Sequence, residues 1–393
     1  MARRFARVLG VAAAGVIGLG VLLPATASAD DSIYWSREQG SDSIRFGPLT
    51  GESPGPVPPA ISAKTLFDDG GAPCGIAANP AAGKIYWANW NAGEIRVGNL
   101  NGTGASTLFA EPGNNLCGVA VDPTAGKIYW ANFSTNEIRV GNLNGTGTAS
   151  TLFTDPGGSA PSGVAIDPAN NKIYWTNQFS DEVRAGNLDG SGIAATLFGG
   201  EDNPIGVAVD PAAGKIYWTD LNSGTVRVGP VGGSTVGDAQ TLFNSPTPSG
   251  PAIDPTTNKI YWTSWTSGSG IRVGNLDGTG TVSTLFSGES AALFAALVKA
   301  PVNTKLPEIS GGAKTGKELT CQKGTWAPDL LGAFLYRAPA SFAYQWKRNG
   351  VIVGTNSATF MPAQPGDYTC TVMATNQAGS TSQTSSVKKV KDK

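Results

Sequence analysis

The 393-residue chain has 28 basic and 29 acidic residues, a charged fraction of only 15%, and no histidine. Such a balance argues against electrostatic nucleic-acid binding, which needs clustered positive charge. The missing histidine removes Ser-His-Asp and Cys-His arrangements, histidine general bases and histidine metal ligands. We therefore predict a protein that is not an enzyme and that uses no metal and no cofactor.

Residues 1–29 have the features of a secretory signal peptide. Three arginines precede an apolar run from Val8 to Leu23, and Ala27-Ser28-Ala29 forms a small-x-small cleavage pattern. The run is short for a membrane span, which needs about 20 residues, so an uncleaved N-terminal anchor is the weaker alternative. We expect a secreted monomer, or one associated with the cell wall, with no membrane insertion after cleavage. The export route, general or twin-arginine, stays open.

An Ile-Tyr-Trp tripeptide recurs along the next part of the chain. Its tryptophans are 52, 43, 45, 43 and 44 residues apart, and the six copies begin at Ile33, Ile85, Ile128, Ile173, Ile216 and Ile260. A period near 44 with strand-forming composition is typical of a propeller or a solenoid. The repeat therefore decides the fold class, which we predict to be all-β.

Each repeat is predicted to form four antiparallel strands. In the third copy they are predicted at Gly118–Val121, Lys127–Asn132, Glu137–Val140 and Ser150–Phe153, with a tight hairpin at Asn144-Gly145. Both faces of these strands are apolar, so each sheet must be covered on both sides by its neighbours. The first strand contains only small residues, which favours packing near a central axis over a solenoid.

The two ends of the repeat region predict a closed ring. The copy at Ser32 lacks a preceding small-residue strand, whereas Ala296–Pro301 has the matching pattern after the last copy. The C-terminal end would then donate the inner strand of the blade that begins at the N-terminus, which removes the open edge. Six copies predict a six-bladed β-propeller over residues 30–303.

The repeat resembles the YWTD, or LDL-receptor class B, repeat. The units that carry this resemblance include Gly206–Pro211, Lys215–Asp220 and Leu188–Gly192. The resemblance implies a six-bladed propeller of the kind found in extracellular receptors and matrix proteins, which bind partner proteins on one face. Only Asp220 keeps the final aspartate of the motif, a structural hydrogen-bonding residue in the family; the other copies have Arg37, Asn89, Asn132, Asn177 and Ser264.

Residues 304–393 follow a proline-bounded linker and show a different pattern. Cys321, Trp346 and the stretch Gly366–Cys370 resemble an immunoglobulin-like β-sandwich, of the type appended to exported bacterial proteins. Four cysteines in an exported chain suggest disulfides, and four allow three pairings. Grouping by domain favours Cys321–Cys370 and Cys74–Cys117; for the second pair, two buried free thiols remain the alternative.

Charged residues that recur in every copy are expected to be structural. An arginine occupies the third strand of each blade, and a ring of them could hold an anion. Pairing with carboxylates such as Glu94, Glu137 and Glu182 is the stronger interpretation; the six arginines are Arg45, Arg96, Arg139, Arg184, Arg227 and Arg272. Asp122, Asp167, Asp210 and Asp254 are interpreted as turn caps.

The candidate binding surface lies where the copies differ, in the loops after the second strand and before the inner strand. We predict that these loops surround one mouth of the central channel with aromatic and polar side chains: Trp90, Phe133, Phe179, Leu221, Trp265, Asn115 and Asp202. Such a surface suits an extracellular protein or a glycan. The alternative is that these side chains fold back over the blade tips.

Two other functions remain open at this point. A glycan-cleaving propeller enzyme would need two carboxylates within about 10 Å of each other at the channel mouth. The acids available there are Glu38, Glu201, Asp202 and Asp220. The other alternative is a structural module of the cell surface that has no discrete ligand.

Overall fold

The computed structural model describes residues 31–38, 42–49, 63–111, 113, 115–233, 238–266 and 270–393. The predicted signal peptide, residues 1–29, lies outside the described residues. Within them the chain is all-β: the helical content consists of two 3-10 turns, Pro168–Asn170 and Leu331–Ala333. No helix in this part of the chain is long and apolar enough to cross a bilayer.

Residues 32–298 form six four-stranded antiparallel sheets, here numbered 1 to 6 in chain order. Their strands are β1 (Ser32–Arg37), β2 (Ser43–Pro48), β3 (Lys64–Asp68); β4 (Pro73–Asn79), β5 (Lys84–Asn89), β6 (Glu94–Asn99), β7 (Ser106–Ala110); β8 (Leu116–Asp122), β9 (Lys127–Asn132), β10 (Glu137–Asn142), β11 (Ser150–Thr154); β12 (Pro161–Asp167), β13 (Lys172–Asn177), β14 (Glu182–Asn187), β15 (Ala195–Gly199); β16 (Pro204–Asp210), β17 (Lys215–Asp220), β18 (Thr225–Pro230), β19 (Gln240–Asn244); β20 (Pro248–Asp254), β21 (Lys259–Ser264), β22 (Ile271–Asn275), β23 (Ser283–Phe286); and β24 (Ala292–Val298).

Sheet 1 contains strands from both ends of this region. β24 pairs antiparallel with β1, so that Ile33 lies opposite Leu297 and Tyr34 opposite Ala296. The inner strands β24, β4, β8, β12, β16 and β20 each contact the next, and β20 contacts β24 in turn. The six sheets therefore close around a common axis, as the terminal patterns predict.

The Ile-Tyr-Trp residues pack between neighbouring sheets. All six tryptophans are fully buried. Each indole lies against a phenylalanine from the outer strand of the preceding sheet, as in the Phe67–Trp87 pair, whose ring centroids are 5.1 Å apart. Burial of large aromatic rings supplies much of the stabilisation between sheets. The repeated motif is therefore part of the core and lies away from the candidate surface.

The connection at Asn144-Gly145 is not the tight hairpin that the sequence predicts. β10 ends at Asn142 and β11 begins at Ser150, so the connection is longer than a two-residue turn. Gly145 N donates to Asn142 O at 2.9 Å, and the Asn144 side chain then accepts from Thr146 N at 3.1 Å. The asparagine side chain stabilises a wider loop because it competes for the backbone hydrogen bonds of a tight turn.

The C-terminal residues form further small sheets. Their strands are β25 (Asn303–Lys305), β26 (Glu308–Gly311), β27 (Leu319–Gln322), β28 (Thr325–Trp326), β29 (Leu335–Tyr336), β30 (Ser341–Arg348), β31 (Val351–Val353), β32 (Thr359–Phe360), β33 (Gly366–Asn376), β34 (Gly379–Thr384) and β35 (Lys388–Val390). β26, β27 and β32 form one sheet, and β31, β30, β33 and β34 another, with β35 paired to β33.

Both suggested disulfides are present. Cys74 in β4 is bonded to Cys117 in β8, with a Cα–Cα distance of 4.9 Å, and so joins the inner strands of two adjacent sheets. Cys321 and Cys370 join the two C-terminal sheets across a Cα–Cα distance of 6.2 Å. The alternative of free thiols at Cys74 and Cys117 is therefore wrong, since the repeat brings these two positions within bonding distance.

The C-terminal part also enters the central channel, which the sequence did not predict. Residues 330–336, here called the plug segment, place their 3-10 turn against β8, β12, β16 and β20. β29 pairs parallel with β24, with Leu335 opposite Leu297. Phe334, Leu335 and Tyr336 are buried. A Cβ on Gly332 would lie 2.6 Å from the carbonyl oxygen of Ile166, so the plug segment fits closely at the end of the channel where the inner strands terminate.

Candidate functional site

A cavity of about 240 Å³ opens at the other end of the channel, where the inner strands begin. Its floor is the second residue of each inner strand: Cys74, Cys117, Ser162, Ile205, Ser249 and Leu293. Its rim is the residue that follows the second strand of each sheet: Glu38, Trp90, Phe133, Gln178, Leu221 and Trp265. The lining is mostly apolar, and the plug segment lies at the far end of the same channel.

The rim residues are held by one backbone hydrogen bond that is repeated six times. Each donates its N–H to the carbonyl oxygen of a residue just before the inner strand, over 3.0 to 3.1 Å; the acceptors are Ala291, Ala72, Asn115, Ala160, Asn203 and Thr247. All six acceptors are non-glycine residues in the left-handed region, with φ between 42° and 72°. Such residues are uncommon, and their regular use gives all six rim loops one geometry. Only the rim side chains differ.

Four of the seven predicted site residues line the cavity, namely Trp90, Phe133, Leu221 and Trp265. The aromatic members form an arc along the rim. The Trp90 and Phe133 ring centroids are 4.9 Å apart, and Phe179 meets Phe133 edge-on at 5.3 Å. Trp90, Phe133 and Trp265 are half-buried. Trp90 and Phe133 pack on each other, and all three residues line the cavity. These side chains therefore neither stand free around the channel mouth nor fold back completely over the blade tips.

The other three predicted residues lie outside the lining. Phe179 follows the rim residue Gln178, is 64% exposed and contacts the arc through Phe133. Asn115 acts through its main chain: its N–H donates to Trp90 O at 2.6 Å and its carbonyl accepts from Phe133 N at 3.1 Å. Asp202 is exposed. The sequence prediction omitted Glu38 and Gln178 from the site, although their positions in the repeat are equivalent to that of Trp90.

The arginines are structural, as the sequence predicts, but their main partners were missed. Arg96, Arg139 and Arg184 lie 3.7, 3.5 and 3.5 Å from Glu94, Glu137 and Glu182 of their own strands. Five arginines also pair with a carboxylate from the preceding sheet: Arg45 with Glu289, Arg96 with Asp69, Arg139 with Glu111, Arg184 with Asp155 and Arg227 with Glu201. These ion pairs tie neighbouring sheets together and leave no arginine ring facing the cavity.

Four of these five carboxylates, Asp69, Asp155, Glu201 and Glu289, also accept a hydrogen bond from a buried tryptophan. Trp87 Nε1 donates to Asp69 at 2.9 Å, and Trp175 Nε1 donates to Asp155 at 2.7 Å. Between sheets 5 and 6 a serine stands in the acid's place, and Trp262 Nε1 donates to Ser245 Oγ at 2.9 Å. The turn-cap interpretation of the repeated aspartates is also confirmed: Asp122 Oδ1, for example, accepts from Thr124 N at 2.9 Å and Ala125 N at 3.0 Å.

Two of the acids considered for catalysis meet in the interior. Glu201 is 8% and Asp220 is 1% exposed. Burial and the neighbouring Glu201 raise the pKa of Asp220 to about 8, and the two carboxyl groups share a hydrogen bond. Glu201 also accepts from Trp218 Nε1 at 2.9 Å. Neither residue lines the cavity. The pair satisfies the distance criterion for two catalytic acids, but it lies between sheets and not at the channel mouth.

This pair makes folding stability depend on pH. In the unfolded chain Asp220 loses its proton near pH 4, whereas in the folded protein its pKa is about 8. Between these values the folded state binds the extra proton, so stability falls as pH rises from about 4 to about 8. Asp220→Asn should abolish this part of the slope and stabilise the protein at pH 8.

Sheet 4 already has an asparagine at the position equivalent to Asp220, which supports the expected stabilisation. Asn177 occupies the equivalent position in sheet 4, and its Nδ2 donates to Asp155 Oδ2 at 2.9 Å. Thermal unfolding of the wild type and of Asp220→Asn at pH 5 and pH 8 checks the prediction. Asp202→Asn, at an exposed acid in the connection between β15 and β16, is the control. If the melting temperatures of wild type and Asp220→Asn changed equally between pH 5 and pH 8, the prediction would be wrong.

Among the residues described, no group of three or more histidine, cysteine, aspartate or glutamate side chains is placed to hold a metal ion. The polar side chains that line the cavity are the carboxylate of Glu38 and the amide of Gln178 at the rim, and the hydroxyls of Ser162 and Ser249 at the floor. The arrangement can therefore enclose a small, mainly apolar group and make a few polar contacts with it.

Residues 83–123 match the family model for the low-density lipoprotein receptor repeat class B. No curated protein matches the chain. The chain is similar to a structure of the nidogen/laminin complex, with 18% identity and a TM-score of 0.58 over 68% of this chain and 98% of that one. It is also similar to TolB from Acinetobacter baumannii, with 15% identity and a TM-score of 0.52 over 68% of this chain and 66% of that one. The chain thus contains a class B repeat and has a propeller-like, all-β fold.

Proposed function

We propose that the chain is an exported, non-enzymatic binding or scaffold protein. Residues 30–303 would form a six-bladed β-propeller and residues 304–393 an immunoglobulin-like β-sandwich. The propeller face at the channel mouth would engage an extracellular protein or a glycan. The observation that carries this proposal is the aromatic rim around a closed-ended cavity, since concave apolar sites with a few polar groups are the usual binding sites of proteins.

The architecture supports the two-domain assignment. Six four-stranded sheets close through the pairing of β24 with β1. In the C-terminal part, the Cys321–Cys370 disulfide lies in one buried cluster with Trp346 and Tyr368. Tyr368 Oη donates to Gln364 O at 2.7 Å. A tyrosine two residues before the second cysteine, bonded to the backbone just upstream, is a feature of immunoglobulin-like sandwiches.

Two observations support an extracellular location. The structure contains two disulfides, which persist in oxidising compartments. The class B repeat matched at residues 83–123 is named after a receptor, and the nidogen propeller is similar in fold. Both agree with the signal peptide predicted from residues 1–29.

The rim composition supports binding. Aromatic residues are enriched among the side chains that contribute most to protein interfaces, and the rim contains Trp90, Phe133 and Trp265 with the exposed Phe179 beside them. The buried acids Glu201 and Asp220 offer no accessible pair for glycan cleavage, which favours binding over catalysis. The cavity is smaller than the roughly 300–1,000 Å³ of sites for drug-sized ligands. It therefore suits one side chain of a larger partner.

The combined substitution Trp90→Ala and Trp265→Ala should abolish capture of the partner while the protein stays folded. Immobilised protein is exposed to the secreted proteins and cell-wall glycans of the producing cells, and bound material is compared between variants. Ile193→Ala is the matched control, because Ile193 is 96% exposed on the loop between β14 and β15, at the opposite end of its sheet. Unchanged capture by the double variant would refute the site.

A further inference from the structure

One rim residue differs from the other five in charge. Glu38 is the only charged side chain among the six rim residues. It follows β1 in sheet 1, and the sheets on either side place Trp265 and Trp90 at the neighbouring rim positions. Because the inner strands of sheets 6, 1 and 2 are in successive contact, a carboxylate stands between two indoles at the cavity mouth.

The backbone of β1 directs Glu38 towards the cavity. Alternation along a strand puts Glu38 on the same face as Ser36. The Ser36 hydroxyl donates to the carbonyl oxygen of the floor residue Cys74. Arg37 lies on the opposite face, where its Nη2 donates to Ser290 Oγ at 3.4 Å. The nearest cationic side chain in sequence is therefore engaged away from Glu38.

Glu38 lacks the partner that comparable acids have. The half-buried or buried acids between the sheets, such as Glu111 and Glu289, pair with arginines at 2.9 Å. Within the described part of the chain Glu38 has no ion pair. Burial and the nearby Asp42 raise the pKa of Glu38. A positively charged ligand would stabilise the ionised carboxylate of Glu38, because partial burial strengthens the attraction between opposite charges.

We propose that the cavity binds the ammonium-bearing side chain of a lysine from a partner protein. Glu38 would accept hydrogen bonds from the ammonium group, and the indoles of Trp90 and Trp265 would contact the cation by their faces. The lysine's four-carbon stem would pack against Phe133, Leu221 and the apolar floor. This inference rests on the proposed function and names the chemistry that the same site recognises.

The charge and size of the cavity favour a lysine side chain over an anionic group, a neutral aliphatic side chain or a sugar ring. An anionic group would meet Glu38 and the neighbouring Asp42 with like charge. A neutral aliphatic side chain would fill the cavity but leave the carboxylate without a partner. A sugar ring would need several polar contacts, and the floor offers only the hydroxyls of Ser162 and Ser249.

The test uses two matched probes on the full chain. Nα-acetyl-lysine-N-methylamide is the ligand, and Nα-acetyl-norleucine-N-methylamide, which lacks the ammonium group, is the control. Binding is followed by NMR at the indole N–H signals of Trp90 and Trp265, assigned with single Trp→Phe variants. The lysine probe should bind at least about tenfold more tightly than the norleucine probe. Equal affinities, or no saturable shift with the lysine probe, would overturn the proposal.

The carboxylate is tested by Glu38→Gln, which keeps the shape of the side chain and removes its charge. The variant should lose the preference for the lysine probe, whereas Asp202→Asn, at an exposed acid outside the cavity lining, should retain it. A preference that persists in Glu38→Gln would also overturn the proposal. If that variant does not fold, the comparison of the two probes on the unaltered protein still decides.

Failure of this inference can be told apart from failure of the proposed function. Suppose the partner is lost from the Trp90→Ala and Trp265→Ala variant but is still captured by Glu38→Gln. The channel mouth is then the binding site, and the lysine assignment is wrong. If the double tryptophan variant still captures the partner, the binding face assigned in the proposed function is wrong.

Discussion

Gly118→Val should lower the free energy of unfolding by about 3 kcal/mol, because the inner strands leave no room for a side chain at this position. A Cβ on Gly118 would lie 2.6 Å from Val164 N and would also overlap the Ser162 carbonyl oxygen. Both atoms belong to the backbone of β12, which cannot move without disturbing the ring. The melting temperature should fall by roughly 6–12 °C in a domain of this size.

Gly157→Val is the matched control for this substitution. A Cβ at Gly157 meets no atom within 4 Å, and its φ lies outside the left-handed region. The same change in side chain should therefore leave stability nearly unaltered. Thermal unfolding followed by circular dichroism checks both variants. If they melted together, close contact between inner strands would not be what requires glycine at residue 118.

Leu335→Asp should displace the plug segment from the channel. Leu335 is fully buried and pairs with Leu297 of β24. A carboxylate there would lack a partner, and an uncompensated buried charge costs about 3–5 kcal/mol. The substitution should therefore expose residues 330–336 to protease and lower the melting temperature.

Leu306→Asp provides the control for the plug segment, because Leu306 is 55% exposed in the connection between β25 and β26. Limited proteolysis with mass spectrometry should find new cleavage within residues 330–336 only in Leu335→Asp. A cleavage pattern identical to that of the wild type would show that the plug segment does not depend on burial of Leu335.

Much of the propeller-like part could be predicted from the sequence because the same physical pattern occurs six times. Strand positions, the closing strand and the core role of Ile-Tyr-Trp all follow from repeated alternation and small-residue strands. The partners of the arginines could not be predicted in this way. Asp69, Glu111 and Asp155 each lie two residues after the phenylalanine of the outer strand, but the pattern is broken in the other copies. Glu201 and Glu289 lie three residues after it, and Ser245 replaces the acid after Phe243.

The plug segment could not be predicted because no repeat encodes it. Its contacts join residues 330–336 to the inner strands of several sheets, from β8 to β24, which are far from it in the sequence. One local signal was present: Leu330-Leu331-Gly332-Ala333-Phe334-Leu335-Tyr336 is an apolar run in an otherwise polar module. Such a run must be buried somewhere, but the pattern alone does not indicate against which surface.

Four of the seven site residues proposed from the sequence line the cavity, and one of the other three, Phe179, is displaced from it by a single position. Gln178 lines the cavity and the predicted Phe179 does not. The fourth copy has its aromatic residue one position later than the others, in the turn beyond β13, where its side chain is mostly exposed. Side-chain direction at a strand end depends on local hydrogen bonds, such as Gln178 N to Ala160 O, which the sequence does not show.

The most direct measurement asks where a bound partner touches the protein. A photoreactive benzoyl-phenylalanine is placed at residue 179, next to the rim, and separately at residue 193, which is also exposed and apolar but lies at the opposite end of the sheet. Irradiation in the presence of the cells' extracellular proteins and glycans should yield a covalent adduct from position 179 and none from position 193. Adducts from position 193 alone, or equally from both, would contradict the binding face proposed for this protein.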